Sequence, residues 1–348
     1  MNGFAVPADF HPETIAALAQ ANATLDLPVR EVYGSLNPSP YGSGRRAGLV
    51  RPVTPEELRR YIACAAAAGI EFDYTLNFSS LGNREYAGRE ELRRFVEDLA
   101  GLGVRRFTVA LPTILDVFAD LPEVRVTIST ILAVQSPVAT RFVEQFPWVD
   151  RLCAPESLNR DLPKLARLCR VTHLEVSTIV NSFCLLWCPF RAPHYDYESH
   201  SPEGLHDYLG RVCDSVRRRE PAAILGSPWI RPEELDRYLA LGISLFKFSG
   251  REMPGPDFLR SVRAYNDRRY DGDLIDLLVG FSAARGMYAI RLDNRALDRV
   301  MPRILARRSG CHPLYCDRCG VCSGPEAASA WSILPPGVAK SPTRDYAE

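Results

Sequence analysis

Six cysteines in two tight groups are the residues of this 348-residue sequence best able to do chemistry. Cys184 and Cys188 form one pair, inside NSFCLLWCPFRAPHYDYESH, which starts at Asn181. The run CHPLYCDRCGVC holds the other four, Cys311, Cys316, Cys319 and Cys322, spaced C-x4-C-x2-C-x2-C. Thiolates are soft ligands suited to iron–sulfur clusters or zinc, and short spacings bring several together without a long loop to close. Gly320 and Gly324 permit the tight turns this needs. The C-x2-C-x2-C run is closer to clustered iron–sulfur spacing than to a zinc ribbon, whose two knuckles lie further apart. The expected cofactor is therefore a 4Fe–4S cluster, with zinc as the alternative. Two ligand sets stay open: Cys184 and Cys188 with two terminal cysteines, or the terminal four alone. No third cysteine follows Cys188 at C-x3-C-x2-C spacing, which argues against S-adenosylmethionine-dependent radical chemistry. Cys64, Cys153, Cys169 and Cys213 stand singly among apolar neighbours and read as buried small hydrophobes.

Polar residues surround these groups. Arg191, His194, Tyr195 and His200 follow the cysteine pair, and FKFSGRE carries Lys247 and Arg251. Strand alternation sends Lys247 and Ser249 to one face and Phe246 and Phe248 to the other. A lysine on the inner face of a sheet needs an anion, either a ligand or an acidic neighbour. Arg191, Lys247 and Arg251 together suit a carboxylate- or phosphate-bearing substrate, with His194 or Tyr195 as proton donors. Asn77, Glu175 and Asn181 are expected to complete the polar binding surface, with Glu156 and Asn159 near it.

The elements that must position these residues alternate along the chain. Strands are expected at 29–37, 72–78, 106–111, 124–134, 149–154, 173–180, 223–229 and 244–248. Helical segments lie between them. In TPEELRRYIACAAAAG a Thr is followed three residues later by Glu, a capping-box signature. A strand and a helix about every 30 residues, with no G-x-G-x-x-G turn after the first strand, predict a closed (β/α)8 barrel of the TIM type rather than an open doubly wound sheet. The expected divisions are a leading helix over 1–27, the barrel over 28–275, a cysteine-rich extension over 276–332 and a disordered tail over 333–348. Active sites of such barrels sit on the loops at the carboxyl ends of the strands, where the Cys184 loop falls.

Composition narrows the functional classes. Lys plus Arg equals Asp plus Glu at 42 each, which gives no basic excess for nucleic-acid binding. No apolar run approaches the ~18 residues of a membrane span. The first residues lack the pattern of a secretory signal, so the reducing cytoplasm is the expected compartment.

At the cysteine loop and at Phe246-Lys247-Phe248-Ser249-Gly250-Arg251 the chain resembles the collagenase-like peptidases of the U32 family, over roughly residues 28 to 275. Ser249 stands where that family has an acidic residue. SPWIRPEELDRYLALGI and SVRAYNDRRYDG add to the likeness. The resemblance implies an eight-stranded barrel carrying a cysteine-bound four-iron cluster, with Cys184 and Cys188 as ligands by position. It also implies either peptidase activity or oxygen-independent hydroxylation with prephenate as oxygen donor, often within a heterodimer of homologous barrels. The preferred expectation is an iron–sulfur-dependent enzyme acting on a small anionic substrate. A peptidase and a non-catalytic partner subunit are the alternatives.

Overall fold

The computed structural model describes residues 1–44, 50–200, 208–251, 255–278, 290–306, 311 and 316–333, without the side chains of 200, 208–211, 214, 218, 256, 257 and 317. Eight parallel strands close into a barrel in chain order: β1 (Gly3–Pro7), β2 (Val29–Gly34), β3 (Glu71–Leu76), β4 (Arg106–Val109), β5 (Arg125–Ile128), β6 (Val149–Cys153), β7 (Glu175–Ile179) and β8 (Ile243–Lys247). β1 completes the ring: Phe4 is paired with Val29 of β2 on one side and with Phe246 of β8 on the other.

The principal helices are α1 (Pro12–Asn22), α2 (Pro55–Ala67), α3 (Arg84–Ala87), α4 (Arg89–Gly101), α5 (Pro137–Glu144), α6 (Leu162–Val171), α7 (Arg191–His200), α8 (Tyr208–Arg219), α9 (Ala222–Gly226), α10 (Leu235–Leu241) and α11 (Gly255–Asn266). The capping box at α2 forms as expected. Thr54 Oγ1 accepts from the Glu57 N–H at 3.2 Å, and Glu57 Oε2 accepts from the Thr54 N–H at 2.9 Å.

Two expectations are corrected. The segment over 1–27 is not only a leading helix, because its residues 3–7 are the first barrel strand. The segment expected as a strand at 223–229 is instead the short helix α9 followed by a loop ending at Trp229 and Ile230. The count of eight stands because one short apolar run replaces the other. Beyond α11, β9 (Ile290–Leu292) pairs antiparallel with β10 (Trp331–Ile333). Buried Arg231 fastens this extension to the barrel through Asn294 and Asp298, at 2.9 and 2.6 Å. The expected tail falls almost wholly on 334–348, outside the described residues. Among the described residues no helix is long and apolar enough to cross a membrane.

The apolar core lies between strands and helices, and the barrel interior is polar. In EFDYTL, RFTV and RVTI, Phe72, Tyr74, Phe107, Val109, Val126 and Ile128 join the apolar core. Their polar neighbours point inward, which follows from contacts made between non-adjacent strands. Arg151 of β6 is ion-paired with Glu31 of β2, and Lys247 of β8 lies 3.3 Å from Asp73 of β3. Such pairs can meet only through the centre of the ring. Parallel barrels usually fill that space with branched apolar side chains. Here buried charges matched by opposite charges share it with threonine side chains such as Thr75, Thr108 and Thr127.

Candidate functional site

At the carboxyl ends of the strands, Arg251 spans the barrel mouth. Its Nη1 donates to Ser35 Oγ at 3.2 Å, Ser43 Oγ at 3.0 Å and Thr75 Oγ1 at 3.3 Å, and its Nη2 donates to the Ser43 carbonyl at 2.7 Å. Three hydroxyls on the loops after β2 and on β3 thus orient one guanidinium. Asn77 lies two residues beyond Thr75 on the same face of the chain, and its side-chain oxygen is buried with no hydrogen-bond partner among the described residues. Asn181 closes the opposite side by clasping the end of β8: its Oδ1 accepts from the Ser249 N–H at 2.8 Å, and its Nδ2 donates to the Ser249 carbonyl at 3.1 Å.

The chain from Asn181 to His200 crosses this mouth. α7 is held at its start by Arg191, ion-paired with buried Glu156, which also accepts from Thr130 Oγ1 at 3.0 Å. It is held near its end by Ser199, whose Oγ accepts from the Ser79 N–H at 3.0 Å, and Ser79 Oγ donates to Asp196 at 3.4 Å. Within α7, His194 Nε2 faces Glu198 Oε1 at 3.6 Å, and its ring stacks on Tyr195 with centroids 6.4 Å apart. Arg191 lies over the Tyr195 ring at 5.4 Å. The His200 side chain falls outside the described residues.

Lys247 is buried one layer below the mouth. Its Nζ lies 3.3 Å from Asp73 Oδ2, 3.8 Å from Glu31 Oε1 and 3.8 Å from the centroid of the Tyr33 ring. The acidic neighbours are therefore internal, and the lysine is matched without a ligand. Burial lowers its pKa, but Asp73 and Glu31 outweigh burial and raise it. Asp73 moves up, chiefly through burial and with Glu31 adding, against the opposing pull of Lys247. Asp73 Oδ1 has no hydrogen-bond partner among the described residues.

Glu175 is corrected out of the mouth. It is the first residue of β7, so it lies at the opposite, amino end of the barrel, where it bonds Arg151 at 2.6 Å, Arg30 at 2.7 Å and Ser244 at 2.8 Å. Burial alone would raise its pKa, but the two arginines overcome that and hold it at about 2.

The cysteines gather into two neighbourhoods. Cys184 is exposed as a residue, yet desolvation is the largest cause lifting its thiol pKa. Arg217 opposes that rise, while Cys213 and Cys188 add to it. Cys213 of α8, expected to be a lone hydrophobe, is near enough to Cys184 to help raise its thiol. A single cysteine on an amphipathic helix carries no sequence signal of that. The Cys322 thiol is pushed up to about 11 by burial, with Arg160 opposing and Cys311, Cys319 and Cys316 adding. Among the described residues, no three Cys, His, Asp or Glu side chains stand close enough to hold a metal ion as they are placed.

No family model matches the chain. It is 29% identical over 314 residues to a protein of Methanocaldococcus jannaschii named as an uncharacterized protease, a match covering 88% of this chain and 91% of that one. Its fold is that of a U32 peptidase of known structure, with a TM-score of 0.53 and 17% identity over 73% of this chain and 95% of the other.

Proposed function

Membership of the U32 peptidase family is supported by that relative and by the shared barrel, and from this premise we propose an iron–sulfur-dependent enzyme that acts on a small anionic substrate at the barrel mouth. The observation that carries the reading is the pair of thiols Cys184 and Cys188 on the segment that crosses the mouth, beside a family resemblance that implies them as ligands. Thiolates are the soft donors that such a cluster takes, and Arg217 favours the thiolate form of Cys184. When bound, such a cluster would supply redox or Lewis-acid chemistry, and oxygen-independent hydroxylation is the class we favour.

The chain's own residues have separable tasks in this reading. Arg251, fixed by Ser35, Ser43 and Thr75, presents positive charge to a substrate carboxylate or phosphate. Asn77 offers an unsatisfied oxygen to a substrate donor. α7 covers the mouth and keeps water from the bound substrate, and it carries His194 and Tyr195 as proton donors. Lys247 and Asp73 sit beneath as a positioning pair rather than as contacts to substrate.

Anaerobic purification with iron and sulfide analysis tests the proposal. About four irons and four sulfides per cluster, with a broad visible absorbance that bleaches on reduction, are expected. Iron content unchanged in Cys184→Ser/Cys188→Ser would overturn it. The second reading is a cysteine peptidase, favoured by the name of the Methanocaldococcus relative and by the His194–Glu198 couple, which could orient a base. It requires peptide cleavage that is lost in Cys184→Ser.

A further inference from the structure

Three consecutive residues of the loop after β2, Gly42, Ser43 and Gly44, touch three different parts of the mouth. A methyl group on Gly42 would stand 2.6 Å from the Ser199 carbonyl oxygen, so the backbone there runs directly against the end of α7. Ser43 is 8% exposed and holds Arg251 through its hydroxyl, at 3.0 Å, and through its carbonyl, at 2.7 Å. Gly44 has φ +65, and a methyl group on it would stand 2.6 Å from the Asn77 carbonyl oxygen. Neither glycine can carry a side chain while those carbonyls stay where they are.

The loop is braced from behind. At its base the Val53 N–H donates to the Asn37 carbonyl at 2.7 Å, and Asn37 Nδ2 donates to the Val50 carbonyl at 2.7 Å. Tyr41 is buried against Phe78 and Phe95, with ring centroids 6.2 and 5.2 Å away. A packed ring next to Gly42 leaves the 42–44 backbone little room to shift by itself. Ser199 is gripped a second time by the Ser79 N–H, two residues beyond Asn77. The end of α7, the Arg251 guanidinium and Asn77 are therefore neighbours of one short piece of backbone.

We propose that residues 42–44 are a latch that makes the docking of α7 and the orientation of Arg251 a single event, with Ser43 the positioning residue between them. The inference rests on the proposed function in taking Arg251 as the residue that holds the substrate anion. When α7 lifts, the Gly42 backbone loses the surface it packs on, and Ser43 can carry its two acceptors away from the guanidinium. When an anion fixes Arg251, Ser43 and Gly42 are fixed with it, and α7 keeps its seat. By linkage the two effects are equal: what the anion gains from a docked α7, α7 gains from the anion. A substrate anion thus draws its own cover shut, and water is excluded only once the anion is seated.

Deuterium exchange over 191–199 and calorimetry with malonate, both on the full chain, test the latch. In the wild type, saturating malonate is expected to slow that exchange about tenfold. Gly42→Ala places a methyl against Ser199 at a residue whose φ lies outside the left-handed region. It is expected to speed the exchange and weaken malonate binding, each about tenfold. Gly101→Ala, whose methyl on α4 meets open space, is expected to change neither. Faster exchange in Gly42→Ala with malonate affinity within about twofold of the wild type would overturn the proposal, because cover and anion site would then be independent. The coupling is also read without ligand. Arg251→Lys releases Ser43 and is expected to speed exchange over 191–199 about threefold, and unchanged exchange there would equally overturn the latch. A wild-type chain that binds no malonate yet shows this ligand-free coupling would count against the anion site of the proposed function and leave the latch standing.

Discussion

Lys247 of β8 and Asp73 of β3 meet at 3.3 Å across the inside of the barrel, between strands that are not neighbours. The contact joins the last strand to the third and leaves both groups out of water. Replacing Lys247 by Met would strand Asp73 and weaken the charge balance at Glu31. The expected loss is about 3–5 kcal/mol in urea unfolding, whereas Lys247→Met with Asp73→Leu should recover most of it. A single variant as stable as the wild type would show that the pair does not hold the barrel.

Arg251 owes its orientation to a planar fork that bonds several oxygens at once. Lysine cannot reproduce that geometry. Arg251→Lys should weaken binding of a dicarboxylate probe such as malonate about tenfold, equivalent to ~1.4 kcal/mol, with little change in melting temperature. Calorimetry of both proteins decides it, and equal affinity would remove Arg251 from the anion site.

Acid should loosen the amino end of the barrel first. Glu175 has a folded-state pKa of about 2, below its ordinary value of 4.5. A depressed carboxylate contributes stability that is complete above 4.5 and is lost as pH falls from there toward 2. Unfolding free energy measured across that window should fall less steeply in Glu175→Gln than in the wild type. Parallel acid limbs in the two proteins would contradict this origin.

The grip of Ser199 on the Ser79 N–H holds the far end of α7 over the mouth. Ser199→Ala removes that bond, so backbone amides of 191–199 should exchange with deuterium up to about tenfold faster. Unchanged exchange there would mean that Arg191 and Glu156 alone keep the helix down.

The closed barrel was legible in the sequence because strand and helix alternate at a regular spacing, but one strand was found in the wrong place. GFAVP at β1 and AAILG at α9 are both five-residue apolar runs, too short for periodicity to separate strand from helix. Neighbouring strands decide that matter: residues 3–7 fill the gap between β2 and β8, and nothing local says so. The polar interior was written plainly in EFDYTL, RFTV and RVTI, where every second residue is charged or a threonine. That alternation identifies the acids that meet Lys247, given the ring that brings β3 opposite β8. Of the site, the cysteine groups and Arg251 were visible from spacing and position. Cys213 was not, because it is brought near Cys184 by a fold that its own helix does not announce.

The pairing of β1 with β8 also bears on how the ring can be made. Gly3 sits opposite Leu245, and Ala5 opposite Lys247. At about 5–20 residues per second, a ribosome takes roughly 12–50 seconds to travel from one strand to the other. Through that interval β1 has a neighbour on one side only, and its other row of backbone donors and acceptors waits for a strand not yet synthesised. A nascent chain of this kind is an open, curling sheet with a sticky margin, and it should draw on chaperones until β8 emerges and seals the seam.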